Sequence, residues 1–328
     1  MDYRMQRKII IVLNVLFVLF ISLVPLLVVR VWAAEGDPFI EIKTADELNA
    51  LASDPSLWNG NYKLTADINL STVCGADFNG GTNWTPIGNN SIRFTGNFDG
   101  GNHTVSGLYI DTANSYQGLF GYVLNGTIKN LKVEGTVTGH GYVGGIVGFF
   151  EHTTDEKGII ENCSFVGTVE GGRAGSSDQA VGGIAGYNHN GTVKECRNSG
   201  TVHSGSMYAG GIVGQNEGKN AVVTDCENSG AVSVIDSNRS STAGGIAGIN
   251  TGSITNCRNK GSIGTGNNLI VGGIVGSNSG SCKRAIFDQA VFGRGIFKIT
   301  DDTAHVSVAC YGSLNFKIFD RTIQNGPE

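Results

Sequence analysis

One phrase of six residues recurs five times along this chain, and it constrains the fold more than any other feature. The copies read VGGIVG, VGGIAG, AGGIVG, AGGIAG and VGGIVG, and their first glycines lie 28 to 38 residues apart. A unit of that size, built from short β-branched runs between glycines and asparagines, cannot enclose a hydrophobic core by itself, whereas a stack of such units can. The repeat glycines are Gly144, Gly182, Gly210, Gly244 and Gly272.

We therefore expect an all-β fold, a parallel β-helix (β-solenoid) in which each unit forms one coil and equivalent side chains line up along the axis. A helical repeat is disfavoured, because each helix would contain two or more glycines at about 1 kcal/mol apiece. The double glycine would permit a bend or a close backbone approach, and Asn-Ser-Gly and Asn-Lys-Gly would supply left-handed turns. Loops of variable length, 171–179 and 235–241, would project from one side of the stack.

A second recurring phrase carries a cysteine at the same place in four copies. The copies read IIENCSFVGTV, TVKECRNSGTV, VVTDCENSGAV and SITNCRNKGSI. An exported protein could use such a row for stacked disulfides or a metal. However, an earlier degenerate copy has leucine there, and no Cys-x-x-Cys pair occurs, so we expect a structural ladder of buried thiols and no metal. The ladder positions are Leu131, Cys163, Cys196, Cys226 and Cys257; the pairing of Cys74, Cys282 and Cys310 stays open.

The first 33 residues differ in kind from the rest. A basic start leads into an apolar run over 9–29, which is typical of a signal peptide; an uncleaved membrane anchor is the alternative. Either one predicts an extracellular or cell-surface protein that meets the membrane only through this segment. The chain has 28 acidic and 23 basic residues, so nucleic acid is not an expected partner, because phosphate binding needs a basic face.

Four regions follow from these patterns: the signal or anchor (1–33), an N-terminal cap with the first coils (34–117), the repeats (118–281) and a divergent tail (282–328). Thr44 and Glu47 fit a capping box, which predicts a short helix that closes the first coil. In the tail, Cys282 falls on the Ile254 position and Ala285 on the Cys257 position. The tail is then either a separate cap or the remainder of a truncated or frame-shifted longer protein.

Together the phrases resemble the GLUG-motif repeat. The preceding stretch, with WTPIG (84–88), FTGNFDGGNHTVSGLYI (94–110) and GLFG (118–121), is similar to what stands before such repeats in bacterial surface proteins, so the resemblance covers about residues 39–281. It implies a β-helical, non-catalytic region of an adhesin displayed on the cell surface. Similar repeats also occur in the N-terminal regions of IgA-specific metallopeptidases, and the resemblance names no ligand.

Motifs of known enzyme classes do not occur: there is no His-Glu-x-x-His, Gly-x-Ser-x-Gly or phosphate-binding loop. A β-helix can nevertheless be a polysaccharide lyase or glycosidase if carboxylates and basic groups meet on one face. Two charged clusters qualify, and we expect both to be solvated charges. They are Glu151, His152, Asp155, Glu156 and Lys157 in the long loop of the second repeat, and Asp301, Asp302 and His305 in the tail.

Aromatic residues near the N-terminus could stack on sugar rings, but their spacing among small residues is more typical of core. They are Trp58, Trp84, Phe94, Phe98 and Tyr109. Three histidines, His140, His189 and His203, fall in separate turns and are expected to be polar loop residues that form no ligand set.

Two classes of function remain. We expect a non-catalytic adhesion, binding or stalk module, with host glycans, matrix or other cell-surface proteins as partners and with no cofactor. The alternatives are a β-helical carbohydrate-active enzyme and a spacer of a larger surface peptidase. Whether two carboxylates and a basic group meet on one face distinguishes the enzyme from the module.

Overall fold

The computed structural model describes residues 39–153, 158–172, 179–205, 207–234, 241–264 and 270–287. From Ile40 onward these residues belong to one compact unit. The chain winds through up to four sheets per coil, and its strands pair in parallel with their equivalents in the next coil. The predicted all-β parallel β-solenoid is thereby confirmed.

Four parallel sheets run along the solenoid, and we number them in the order in which a coil visits them. Sheet 1 contains Ile40–Ile42, Asn61–Leu64, Asn97–Asp99, Thr127–Lys129, Ile159–Glu161, Thr192–Lys194, Val222–Thr224, Ser253–Thr255 and Ser281–Lys283. Sheet 2 contains Ile68–Asn69, Thr104–Asp111, Lys132–Thr138, Ser164–Gly171, Arg197–Asn198, Thr201–Ser204, Glu227–Asn228, Val232–Val234, Arg258–Asn259, Ile263–Gly264 and Ile286–Phe287. Sheet 3 contains Tyr142–Gly144, Ala180–Gly182, Tyr208–Gly210, Thr242–Gly244 and Ile270–Gly272. Sheet 4 contains Phe120–Leu124, Val147–Glu151, Ala185–His189, Val213–Glu217, Ala247–Asn250 and Val275–Asn278.

The recurring phrases stack in register. In sheet 3 the first residues of the five phrases are Cα partners along the ladder, and the repeat glycines follow them in the same register. Inside the bend that leads to sheet 4, the phrase isoleucines form a buried column. Full burial of such a side chain contributes roughly 1.5–3 kcal/mol, so the column is a main source of cohesion between coils. Its members are Ile146, Ile184, Ile212, Ile246 and Ile274.

A helix interrupts the first coil. Ala45–Ser53 lies between the first two strands of sheet 1 and begins with the capping box that the sequence predicts, in which Thr44 and Glu47 bond reciprocally. Short 3-10 turns follow at Pro55–Leu57, Leu70–Thr72 and Phe78–Gly80. In the described parts of the chain no helix is both long and apolar enough to cross a membrane. The predicted signal or anchor segment, 1–33, lies outside the described residues, as do most of the loops 171–179 and 235–241.

The double glycine permits a close backbone approach, as expected. A Cβ on Gly182 would collide with the carbonyl oxygen of Ala185. The prediction for Asn-Ser-Gly and Asn-Lys-Gly was wrong, because none of these residues is left-handed. Left-handed backbone occurs instead at the residue before each position of the cysteine row, with φ between 50° and 56° at Asn130, Asn162, Glu195, Asp225, Asn256 and Arg284.

Glu195 is the least suited of these residues to its backbone conformation, since asparagine and aspartate tolerate the left-handed region better than glutamate. We expect Glu195→Asn to raise the free energy of unfolding by about 0.5–1 kcal/mol. The substitution also removes an ion pair with Lys194, but a surface ion pair contributes little to stability, and Lys194 keeps Glu161 as a partner. Urea denaturation measures the change. Glu134→Asn is the matched control, because Glu134 also pairs with a nearby lysine but lies in a strand; an equal gain there would contradict the backbone explanation.

Charges on the outer face of sheet 1 alternate in sign from coil to coil. Each member is the Cα partner of the next, so a slip by one coil would place like charges side by side. The alternation therefore favours one order of coils. The column consists of Glu41, Lys63, Asp99, Lys129, Glu161 and Lys194.

Strand pairing continues past residue 281, where the sequence phrases break. Cys282 is the Cα partner of Ile254, as the sequence alignment places it. Ile286–Phe287 pairs with Arg258–Asn259, which places buried Ala285 next in line after Cys257. The remainder of the tail, 288–328, lies outside the described residues.

Candidate functional site

The four row cysteines form a buried column of thiols in the turn between sheets 1 and 2. Each is at most 1% exposed, and each is free, as is Cys74. Each thiol donates to the carbonyl two residues earlier, at 3.2–3.4 Å. Burial raises the pKa of the Cys163 and Cys226 thiols, so they stay protonated. Leu131 precedes the column and is also buried. Cys310 lies outside the described residues.

Two ladders of asparagines, buried at every member except Asn278, run along sheets 4 and 2. In sheet 4, Asn188, Asn216, Asn250 and Asn278 are joined by amide hydrogen bonds of 2.7 Å. In sheet 2, Asn198, Asn228 and Asn259, for which the sequence predicts turns, are joined by amide hydrogen bonds of 2.9 and 2.8 Å. Each of these three amides also bonds the backbone of the glycine two residues later, so the ladder rigidifies the coil as well as linking coils.

Both ladders begin in the same coil. In each of them, the register partner of the first asparagine in the preceding coil is a phenylalanine. Phe165 is the partner of Asn198, and Phe150 is the partner of Asn188. At that junction the Asn188 Oδ1 atom is buried without a hydrogen-bond partner, because its neighbour on that side is an aromatic ring. The ladders therefore belong to the later coils, while the same columns in the earlier coils are apolar.

The first charged cluster does not lie wholly in a loop. Glu151 ends a strand, and His152 is buried, where its Nδ1 accepts from the Gly158 backbone N–H at 2.9 Å. The rest of this cluster (Asp155, Glu156, Lys157) and the tail cluster (Asp301, Asp302, His305) lie outside the described residues. Among the described residues no group of three or more His, Cys, Asp or Glu side chains could hold a metal ion.

Four of the predicted aromatic residues are core. Trp58, Trp84, Phe94 and Phe98 are at most 3% exposed, and both indoles donate to backbone carbonyls. Tyr109 is partly buried against the same core. The four buried side chains are not available for stacking on a sugar.

A different set of aromatic residues lies where sheets 3 and 4 meet; one of them, Tyr122, is buried, and the other four are partly exposed. We call Tyr116, Tyr122, Tyr142, Phe149 and Tyr187 the aromatic strip. Phe149 is the register partner of both Tyr122 and Tyr187, and its ring centroid lies 4.6 Å from each of theirs. Tyr116 stacks on Tyr122 at 5.6 Å, and the Arg93 guanidinium lies 4.9 Å from the centre of the Tyr122 ring.

Three polar residues border the strip at the ends of sheet 4 strands, and we call Glu151, His189 and Glu217 the polar column. They are successive register partners, and His189 Nδ1 lies 3.3 Å from a Glu151 oxygen. The Tyr122 hydroxyl donates to Glu151, and the Tyr187 hydroxyl donates to Glu217 at 2.6 Å. Burial, and then the bonded carboxylate, raises the pKa of both tyrosines, so they remain donors.

The assignment of His189 and His203 to loops was wrong, since both lie in strands. His140 is 3.5 Å from the Gln179 amide nitrogen and contributes nothing to the polar column. The sequence missed the strip because its rings come from different coils. One sequence signal could have indicated the strip. The residue after the last glycine of each phrase points outward, and in three successive phrases it is Phe149, Tyr187 and Gln215.

Three stretches of the chain match the family described as "The GLUG motif", at residues 139–170, 177–202 and 205–234. The chain therefore carries GLUG repeats, which confirms the resemblance over these residues. The matched stretches contain the polar column and the later rings of the strip.

Two relatives extend the comparison. Halomucin of Haloquadratum walsbyi is 28% identical over 213 residues, which is 56% of this chain and 2% of halomucin. A provisionally named Gly-rich membrane protein of Evansella cellulosilytica is 34% identical over 110 residues, which is 32% of this chain and 12% of that protein. The chain thus spans only a small part of either relative.

A solved structure has the same fold. A provisionally named immunoglobulin A1 protease from Bacteroides ovatus superposes with a TM-score of 0.60 at 22% identity, covering 82% of this chain and 79% of that one. At this identity the likeness concerns the fold alone.

Proposed function

We propose that this chain, as a GLUG-repeat solenoid, is an exported cell-surface protein whose coils form a non-catalytic stalk and binding module. The observation that carries the proposal is the continuous in-register stack with its two buried amide ladders. Because strands of successive described coils are hydrogen-bonded in register, such a stack holds an outer surface at a fixed distance and orientation. The names of the two relatives, a halomucin and a membrane protein, are in keeping with a place at the cell surface.

The N-terminal end of the module fits this role. We infer that the helix Ala45–Ser53 closes the first coil, since it occupies the part of that coil where later coils have sheets 2 to 4. Its Leu48 and Leu51 are buried, and Trp58 donates to the Leu51 carbonyl at 2.8 Å. A closed first coil shields edge strands from pairing with other chains. The segment 1–33 directs export as a signal peptide or anchor.

A second candidate is a carbohydrate-active enzyme, and the polar column favours it. Glu151 and Glu217 flank His189, which brings together two carboxylates and a basic group. Two rungs of a parallel stack separate the glutamate Cα atoms by about 10 Å. We prefer the non-catalytic function because both carboxylates already accept hydrogen bonds from tyrosine hydroxyls within the protein.

Two measurements on the full chain test the proposal. Protease added to intact expressing cells should cleave the protein, because the solenoid lies outside the membrane. The purified protein should release no new reducing ends from a panel of polysaccharides. Cleavage only after cell lysis would contradict surface display. If the protein cleaves a polysaccharide, and this activity disappears in Glu151→Gln but persists in Glu134→Gln, the protein is an enzyme and the non-catalytic proposal is wrong. Glu134 is an outward glutamate on sheet 2 and serves as the control.

A further inference from the structure

A row of three polar side chains lies on the outer face of sheet 2 and is distinct from the polar column. Glu170, His203 and Ser233 occupy equivalent positions of successive coils, because Glu170 is the register partner of His203 and His203 that of Ser233. The residue before each of them is a buried valine, so the three side chains point outward. A carboxylate, an imidazole and a hydroxyl therefore follow one another along the solenoid axis, about 4.8 Å apart at the backbone.

The imidazole and the hydroxyl of this row are bonded to each other. His203 Nδ1 lies 2.5 Å from Ser233 Oγ, and neither side chain has a second hydrogen-bond partner in the part of the chain that the structure describes. Glu170 is exposed and has no hydrogen-bond or ion-pair partner among the described residues. It lies on the side of His203 opposite Ser233, so its charge favours the tautomer that keeps the proton away from Ser233. The Ser233 hydroxyl then donates to Nδ1.

This bond gives Ser233 a property that its neighbours on the same sheet lack. Ser199 and Ser229 donate to backbone carbonyls, at 3.5 and 3.3 Å. A carbonyl oxygen only accepts a hydrogen bond, whereas a neutral imidazole can remove the proton altogether. A serine within hydrogen-bond reach of a histidine that an acidic residue flanks is the arrangement that activates a hydroxyl as a nucleophile.

We propose that Ser233 is a nucleophile that takes an acyl group from an uncharged ester, with His203 as its base and Glu170 as a positioning residue. Ser233 Oγ attacks the carbonyl carbon while its proton moves to His203 Nδ1. The bond from that carbon to the leaving oxygen then breaks, the leaving oxygen takes the proton from Nδ1, and the acyl group remains on Ser233 as an ester. The exposed Glu170 would repel an anionic donor.

This inference goes beyond the proposed stalk and binding function. A single acylation attaches a molecule covalently to the outer face of the solenoid and requires no turnover. Sheet 2 would then hold the attached molecule at a fixed place on the stack, because its strands are hydrogen-bonded in register.

The test is acetylation of the full chain by p-nitrophenyl acetate, quenched in acid and mapped by mass spectrometry of peptides. We expect the acetyl group on Ser233, with little on Ser199 and Ser229, although both of these are more exposed. His203→Gln should slow the labelling about a hundredfold, which is the contribution of a general base. Glu170→Gln should slow it about threefold, the effect of an exposed charge pair. Labelling should be slower at about pH 5 than at about pH 8, because a protonated imidazole accepts no proton.

The matched control is His103→Gln, which removes a partly buried histidine beside Asp67 in an earlier coil and should leave the labelling unchanged. Circular dichroism verifies that each variant is folded. The proposal is wrong if Ser233 takes no acetyl group, if Ser199 and Ser229 react equally fast, or if His203→Gln reacts like the unchanged chain. Repeated release of nitrophenol that stops in Ser233→Ala would support the nucleophile and contradict the non-catalytic function.

Discussion

Replacing Asn228 by alanine is expected to lower the free energy of unfolding by about 4 kcal/mol, because this amide is the middle of the sheet 2 ladder. Its Oδ1 accepts from Asn198 and from the Gly230 N–H, and its Nδ2 donates to Asn259 and to the Gly230 carbonyl. All four bonds are buried. Each buried polar group that loses its partner costs about 1–3 kcal/mol, and no water from outside the core compensates. Urea denaturation followed by circular dichroism measures the change.

The matched control is Asn97→Ala. Asn97 Nδ2 donates to Asn61 Oδ1 at 2.7 Å, which is an equally short amide bond on an exposed surface. Water replaces that bond, so we expect a change within about 0.5 kcal/mol. If the two variants lose similar stability, burial is not what gives the ladder its strength, and the interpretation of the solenoid as a stiff stalk loses its main support.

Gly211→Ala is expected to destabilise the protein by about 3 kcal/mol through overpacking. Gly211 is the second glycine of the phrase AGGIVG, and an added Cβ would collide with the Gly245 carbonyl oxygen of the next coil and with the Asn228 amide. Neither neighbour can move freely, because one is backbone of an adjacent coil and the other is fixed in the ladder. Thermal unfolding of the full-length protein detects the loss.

Gly264→Ala separates this steric effect from the general effect of a methyl group in a glycine-rich chain. Among the residues that the structure describes, the nearest atom to its added Cβ is the Ser233 Cβ at 3.4 Å, which is ordinary contact. We expect the variant to be neutral or to gain about 0.5 kcal/mol from the lower entropy of the unfolded chain. A loss at Gly264 as large as that at Gly211 would show that the double glycine is not selected for close packing between coils.

Much of the site could not be predicted from the chain, for reasons that particular residues show. Asn228 follows the sequence pattern of a turn, and asparagine suits a left-handed turn and an amide ladder equally well. Asn228 forms a ladder because Asn198 and Asn259 lie directly below and above it and bond to its amide. His189 and Glu151 are 38 residues apart in the sequence, yet their side chains meet at 3.3 Å. No local pattern encodes that distance, because it depends on the length of the loop between them.

The sequence by itself determined the coil, its parallel stacking and its register, because a repeated phrase places the same residue at the same point of every coil. Val143 and Val181, or Ile146 and Ile184, had to fall into common columns once the coils were stacked. Only the tertiary structure decided which outward residues form a surface. Tyr116, Tyr142 and Tyr187 occupy different positions of different coils, and the bend between sheets 3 and 4, together with the loop lengths, brings their rings together. Repetition specifies contacts between equivalent positions, whereas contacts between unlike positions depend on how the coil is bent in space.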